Sequence, residues 1–574
     1  MPVHSSAQVL PLLVLERVLR YLLPTRPAGH DAKDESARTE RQDALRPFMS
    51  LCRSWRSLAA SMYYHSADVW PKETGGNQRN RRKRITLGEI VETGNQRYLR
   101  DLRMHVSVLN AVGSGEEYTT LASVLAKSGD LSSVYRMDLE VTMNGTWGHP
   151  FDSEASWAEE LASVDESLNS FIKQVSHQLP NTRNIGLHCP TKAYIKACAT
   201  HIGGVLEKMS KLHSDTPVGL TLNGVSPTKP FVANTSGAML RSIDITMPTG
   251  NQRHVELVRR NAPCLEYLRV RKITYFSLIK MTCDPSNKSD MLVYPRLKTL
   301  IMEYLTGSHS AAVRQPLVDP FPRLQTLVCR GRFPFRSPGV LCGGHSHIAH
   351  LDIDMDDELL AVLDSHRALE KGAFSKLQCL SLKWAKNGRV SGMGAEKMCR
   401  LSAELGAQTR VIHIPTVTIG RLASPATFWE SAKHLAVLDA PQCEFDIDQC
   451  ITLLCANPQL AKANITFSSS VGSQGSRMPP LNTLTEYQNK YKSSTSNTCA
   501  LGIHSARFNT SRQAAEFLVL LVDILDSIKR ITIAPSSRRP PRKILSAVDR
   551  AKKRTVYKGH AFHDRVLFSS GTDW

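Results

Sequence analysis

An α/β solenoid of strand–helix units about 28 residues long, with a small all-α module at its N-terminal end, is predicted by two features of the sequence. The first is a phrase, P-x-L-x-x-L-x-φ with φ apolar. It occurs in strict form at Pro263 (Leu265, Leu268, Val270), Pro295 (Leu297, Leu300, Met302) and Pro322 (Leu324, Leu327, Cys329). The second is the segments between copies, where apolar residues recur three and four apart, the period of a helix packed on one side. Composition agrees with a packed fold: of 574 residues, 41% are hydrophobic and 22% charged, too apolar for a disordered chain.

From the N-terminal end, Leu15, Val18, Leu19 and Leu22 mark one helix face after Leu10-Pro11, and Pro24 closes that helix. Leu45, Phe48, Cys52, Trp55, Ala59 and Met62 mark a second, so residues 1–70 read as a helical module. Residues 71–97 read as a polar, basic linker. Residues 98–534 carry the repeat. Looser copies start at Pro180, Ser375 and Pro458, and the 3-then-2 apolar spacing recurs at Leu99, Val134, Leu240, Ile348 and Ile528. That spacing describes a turn running into a short strand whose last two apolar residues share a face. Helices are expected over Glu154 to Leu179, His254 to Asn261, Cys443 to Asn457 and Ala514 to Ile528. Asn261 and Asn457 each have a proline close behind, a helix stop. Residues 535–574 form a basic tail.

The repeat resembles the leucine-rich repeat family in its longer, irregular type, over about fifteen units. The departure is the asparagine that usually follows the last apolar position: after Val270 that place holds Ile273. Residues 9–22 together with Leu51-Cys52-Arg53-Ser54-Trp55-Arg56-Ser57-Leu58-Ala59 resemble an F-box. That resemblance implies docking on the Skp adaptor of a cullin-based ubiquitin ligase through Leu10, Pro11, Leu19, Leu22, Leu51, Cys52 and Trp55. Thr25 to Asp43 is an insertion where the family has a short turn, and Leu13 stands where the family has an acid. The competing reading is a helical cap over the first repeat, and both can hold at once.

The formal net charge is +20, and two short tracts, Arg79–Arg84 and Arg538–Arg554, account for twelve of it. The body of the chain is therefore only mildly basic, which argues against a nucleic-acid-binding body. Arg79–Arg84 reads as a solvated linker, a nuclear import signal or, in third place, a phosphate contact. No aromatic residue for base stacking follows the tract until Tyr98. No apolar run is long enough for a bilayer, no secretory signal precedes the first leucines, and the thirteen cysteines include no C-x-x-C. Reduced thiols in the cytoplasm or nucleus, with no membrane partner, are expected.

No phosphate-loop motif, H-E-x-x-H or G-x-S-x-G occurs, so an enzyme is not expected and no cofactor is assigned. The dense run from His345 to Glu358 offers imidazoles and carboxylates, but Ile348, Leu351 and Ile353 are the repeat's own apolar positions. A metal site, a solvated face and a recognition patch stay open there. The favoured function is a substrate receptor of an SCF-type ligase with an unknown protein client; the alternative is a repeat scaffold with no ligase role. The client face is read from strand alternation as Tyr267, Arg269, Arg271, Glu303, Arg330, His350, Asp352, Asp354 and Lys383, a cationic stretch followed by an anionic one.

Overall fold

The computed structural model describes residues 43–49, 53–70, 85–107, 116–142, 154–189, 204, 205, 208, 218–223, 232, 240–246, 252–282, 292–305, 320–331, 347–355, 376–384, 409–413, 434–445, 453, 457, 459–468, 500–507, 530–533 and 566–568. The chain is α/β, with parallel strands, and divides into two units, Met1–Val270 and Arg271–Trp574. Among the described residues no helix is long and apolar enough to cross a membrane.

In the first unit, residues 43–49 are helical and α1 spans Arg53–Tyr63. Leu45, Leu58 and Ala59 form a buried cluster, with Phe48, Met49, Met62 and Tyr63 packed against it. Of the stripe read from the 3–4 spacing, Leu45 and Ala59 are thus buried and Phe48 and Met62 pack on them. Strand β1 (Ser66–Val69) follows directly and pairs in parallel with β2 (Asp101–Ser107). Between them lies α2 (Leu87–Glu92), opened by a capping box in which Thr86 and Glu89 satisfy each other's backbone N–H. The boundary expected at residue 98 therefore shifts. Residues 66–69 and 85–97, assigned to helical module and linker, are part of the sheet and its first crossover, with Leu87 and Ile90 buried.

Strands β3 (Arg136–Thr142), β4 (Asn184–Cys189), β5 (Val218–Asn223) and β6 (Leu240–Thr246) extend the sheet one ladder at a time, all parallel. Register aligns Met104, Leu139, Leu187, Leu220 and Ile243 in one row, every member buried. Helix α3 (Glu116–Lys127) joins β2 to β3 and ends at Gly129, whose φ of +70° suits only a residue without Cβ. Helix α4 (Glu154–Gln178) joins β3 to β4 and buries Val164, Leu168, Phe171 and Val175 at steps of 4, 3 and 4. The Tyr118 and Phe171 rings meet at 5.8 Å, joining α3 to α4. Helix α5 (Gln252–Arg260) leads to β7 (Tyr267–Arg271), which the unit boundary divides after Val270.

The stop asparagines act in both units. Asn261 Nδ2 donates to Leu257 O, four residues back, at 2.8 Å, while its Oδ1 accepts from Leu240 N. One buried side chain closes the helix and ties its end to the strand before it. Asn457 Nδ2 donates to Leu453 O at 2.9 Å in the same way.

The second unit has helix α6 (Tyr275–Thr282) and strands β8 (Thr299–Leu305), β9 (Thr326–Gly331), β10 (His350–Met355), β11 (Cys379–Trp384), β12 (Val411–His413), β13 (Val437–Phe445), β14 (Lys462–Ser468), β15 (Ala500–Arg507), β16 (Arg530–Ile533) and β17 (Val566–Phe568). Consecutive strands pair in parallel throughout. Two expectations change. The helix expected from Cys443 starts inside β13, and the tail expected after residue 534 supplies β17, with Ile531 opposite Val566.

One hydrogen-bond device recurs at the start of the strands. Two successive N–H groups converge on the carbonyl of the equivalent residue one repeat earlier. Tyr135 and Arg136 donate to Arg100 O, and Arg183 and Asn184 to Tyr135 O; in the second unit Gln325 and Thr326 donate to Lys298 O, and Ala349 and His350 to Gln325 O.

Candidate functional site

Parallel pairing with a constant register puts the residues between the apolar positions of successive strands side by side on one face. In the first unit this row holds Asp68, Arg103 and Asp138, and beside them His105, Glu140, His188, Thr221 and Asp244. Buried polar side chains need partners, and the row supplies them from strand to strand. Arg136 Nε reaches both oxygens of Asp138 at 3.3 and 3.2 Å. His188 Nε2 lies 3.3 Å from Asp138 Oδ1, and its Nδ1 lies 2.9 Å from Thr221 Oγ1. Arg103 approaches Glu140 at 3.9 Å and Arg269 approaches Asp244 at 3.8 Å.

His105 is the most enclosed member, its side chain 4% exposed. Its ring stacks on Trp70 at a centroid distance of 3.6 Å and an interplanar angle of 2°. Nε2 stands 3.6 Å from Asp68 and Nδ1 3.6 Å from Glu140, so each nitrogen faces a carboxylate just beyond hydrogen-bond reach. Gly186 makes the neighbouring pair possible. A Cβ there would collide with Asp138 Oδ1 and stand 2.6 Å from His188 Nε2, so only glycine leaves the carboxylate and imidazole room to meet.

The second unit carries the same row in different chemistry. Arg271 Nε pairs with Glu303 at 3.4 Å. Arg330 holds Asp352 through one terminal nitrogen and Asp354 through the other, the latter at 3.1 Å, while Lys383 approaches Asp352 at 3.9 Å. Further along, Asp439 accepts from His413 Nδ1 at 3.2 Å and from Asn464 Nδ2 at 2.8 Å. The bond from His413 and, after it, the one from Asn464 hold the Asp439 carboxyl below its usual range against the opposing effect of burial. Burial pushes the His350 imidazole down, with Asp352 opposing, and pushes the Cys379 thiol up.

Of the residues expected on the client face, Tyr267 and Arg269 share a strand face in the first unit, and Arg271, Glu303, Arg330, His350, Asp352, Asp354 and Lys383 share one in the second, but the charge order differs from expectation. Arg269, Arg271, Arg330 and Lys383 do not form a cationic block beside an anionic one. Each is engaged by a carboxylate of an adjacent strand, and the engaged side chains are half-buried. Tyr267 and His350 flank the row and are also half-buried. Of the expected docking residues, Leu10, Pro11, Leu19, Leu22, Leu51 and Cys52 lie outside the described residues; Trp55 lies on α1, its side chain outside them too. Arg79–Arg84, Arg538–Arg554 and His345 also lie outside.

The first-unit members were not read from the sequence, although Arg103 and His105 alternate with Leu102, Met104 and Val106 as plainly as Asp352 and Asp354 do with Leu351 and Ile353. Thr221, His188 and Asp138 follow the hydroxyl–imidazole–carboxylate order of an activated nucleophile. Among the described residues the N–H groups around them lie in the β3–β4–β5 ladders, so none of those is an oxyanion donor. Among the described residues no group of three or more His, Cys, Asp or Glu side chains could hold a metal ion. No family model matches the chain, and no curated protein matches it.

Proposed function

We propose that the chain is a protein-interaction adaptor: a leucine-rich-repeat-like solenoid behind an F-box-like helical module, serving as a substrate receptor of an SCF-type ubiquitin ligase in the cytoplasm or nucleus. The observation that carries the reading is the polar row that runs along successive parallel strands within each unit. It is an extended surface rather than a pocket with convergent reactive groups, and its cross-strand pairs hold long side chains in place before a partner arrives. Pre-ordered contact residues lose less entropy on binding, which favours capture of a protein client. The mechanism would be proximity: the client is held beside the ligase, and a bimolecular transfer becomes effectively intramolecular.

A specific contact favours the second reading, a repeat scaffold whose helices only cap the array. Helix α1 packs on the turn at Gln96–Tyr98 that opens β2. The two readings separate on Trp55. Co-purification of the full chain with a Skp-type adaptor, and its loss in Trp55→Ala with an unchanged melting temperature, is the outcome expected of the ligase receptor. A wild-type chain that captures no adaptor, or a folded Trp55→Ala variant that captures it undiminished, leaves the scaffold reading.

A further inference from the structure

The polar row is not the only charged feature of the second unit. A groove of about 820 Å³ opens at the turns preceding β8 to β12, and its lining includes Lys298, Arg323, His347, Lys376 and Arg410. Among the described residues no carboxylate lines it. This contrasts with the strand face of the same repeats, where every described arginine and lysine of the row meets an acid. Among the described residues Arg323, Lys376 and Arg410 have no carboxylate partner, and Lys376 and Arg410 are exposed. Lys376 Nζ donates to His347 Nδ1 at 3.2 Å, which leaves the imidazole's other nitrogen as a donor.

We propose that this groove is a binding site for a compact polyanion, a small molecule carrying two or more phosphate groups. The cations come from consecutive repeats, so they recur at about the strand spacing, roughly 4.8 Å. A single carboxylate or orthophosphate meets only part of such a row. A ligand with several phosphate groups spans it and meets the formal positive charges of Arg323, Lys376 and Arg410 together, through charge-assisted hydrogen bonds from Arg and Lys. Gln325 and Gln378, on the same lining, add neutral amide donors for the remaining oxygens. The site favours a small ligand over a nucleic acid, because among the described residues no Phe, Tyr or Trp lines it to stack a base. It does not depend on the adaptor reading, since neither α1 nor the polar row contributes to it.

Calorimetric titration of the full chain with sodium tripolyphosphate, and separately with orthophosphate, at one fixed salt concentration tests the assignment. Tripolyphosphate is expected to bind saturably and at least about tenfold tighter than orthophosphate. The pair Lys376→Glu with Arg410→Glu should weaken it about tenfold or more, and the milder pair Lys376→Gln with Arg410→Gln by less, both with an unchanged melting temperature. A matched reversal of exposed cations in the first unit, Lys127→Glu with Arg183→Glu, should change the affinity by less than about twofold. Absence of saturable tripolyphosphate binding overturns the proposal, as does an equal loss in the first-unit variant. So does tighter binding of an oligothymidylate or a decaglutamate peptide at the same salt, lost in the groove variant, which would make the groove a macromolecule's contact instead.

Discussion

The strand faces of the two units share a backbone plan and differ in the pairs they carry. In the first unit the row sets imidazole–carboxylate contacts beside arginine–carboxylate ones, deep enough that Asp68 is fully buried and His105 nearly so. In the second it is built mainly on guanidinium or ammonium against carboxylate, with side chains 13–36% exposed among the Arg330, Asp352, Asp354 and Lys383 group. A repeat therefore determines where a polar side chain stands, not what it is. A short, flat imidazole fits where Trp70 and a glycine leave little height. Arginine's fork requires more room and reaches two acids at once. The deeper row depends more on shape, the shallower one more on charge.

Shape should show the largest effect. Gly186→Ala drives a methyl into the Asp138–His188 contact and should lower stability by about 2–3 kcal/mol. Gly219→Ala, one strand along, meets only Ile185 O at 3.6 Å and Ser242 Cβ at 3.8 Å. It should be neutral, or slightly stabilising through the unfolded chain. Urea denaturation of both variants decides the matter, and equal losses would remove the distinction between the two positions.

Charge comes next. Arg330→Met leaves Asp352 and Asp354 without their shared guanidinium and should cost about 1–2 kcal/mol, reduced from the value for a fully buried pair because these groups are partly solvated. Adding Asp354→Asn should restore part of it. If Arg330→Met is as stable as wild type in the same urea titration, the second-unit row is solvated decoration rather than a paired network.

The smallest effect is a pH dependence in the second unit. His350 in the folded chain has its proton affinity lowered by burial, so unfolding releases it to take up a proton. Its contribution is present above the ordinary value of 6.5 and is lost as pH falls below it. Asp439, depressed by His413 and Asn464, adds stability above its ordinary 3.8 that is lost only as pH falls further. Melting temperature should decline in two separate windows. His350→Gln should flatten the upper one and leave the lower, whereas a decline unchanged in that variant would assign the upper window to other groups.

Much of this was legible before any coordinates. Each strand with large residues at the 3-then-2 positions was read from the sequence, because Leu, Ile and Met there have only the core to go to. A small or polar residue there was tolerated where a proline opened the copy, as with Thr182 before β4 and Ala463 in β14, but β12 and β13 were missed. Thr409 precedes β12 and is fully buried, and Ala440 stands where β13 needs its second apolar residue. Packing accepts them because the neighbouring repeats fill the space, which a single repeat read alone does not reveal. The partners of the charged residues were illegible for another reason. Arg330 and Asp352 are separated by 22 positions, so alternation shows that both face one way but not that they meet.

The paired N–H groups that converge on one carbonyl at each strand start have a consequence for how the chain tolerates change. Successive acceptors, Lys298, Gln325, Ala349, Gln378, Arg410 and Ala436, are separated by 27, 24, 29, 32 and 26 residues. The link is made at a fixed point of each repeat, so it takes no account of how much chain was used to arrive there. Length is thus free to drift in the connections while phase is reset at every step. Residues inserted into a connection, for instance between Trp384 and Thr409, should lengthen that connection without moving a single strand out of register. Deleting one residue between a turn and its strand, as between Leu377 and Leu380, would instead turn the whole following strand inside out.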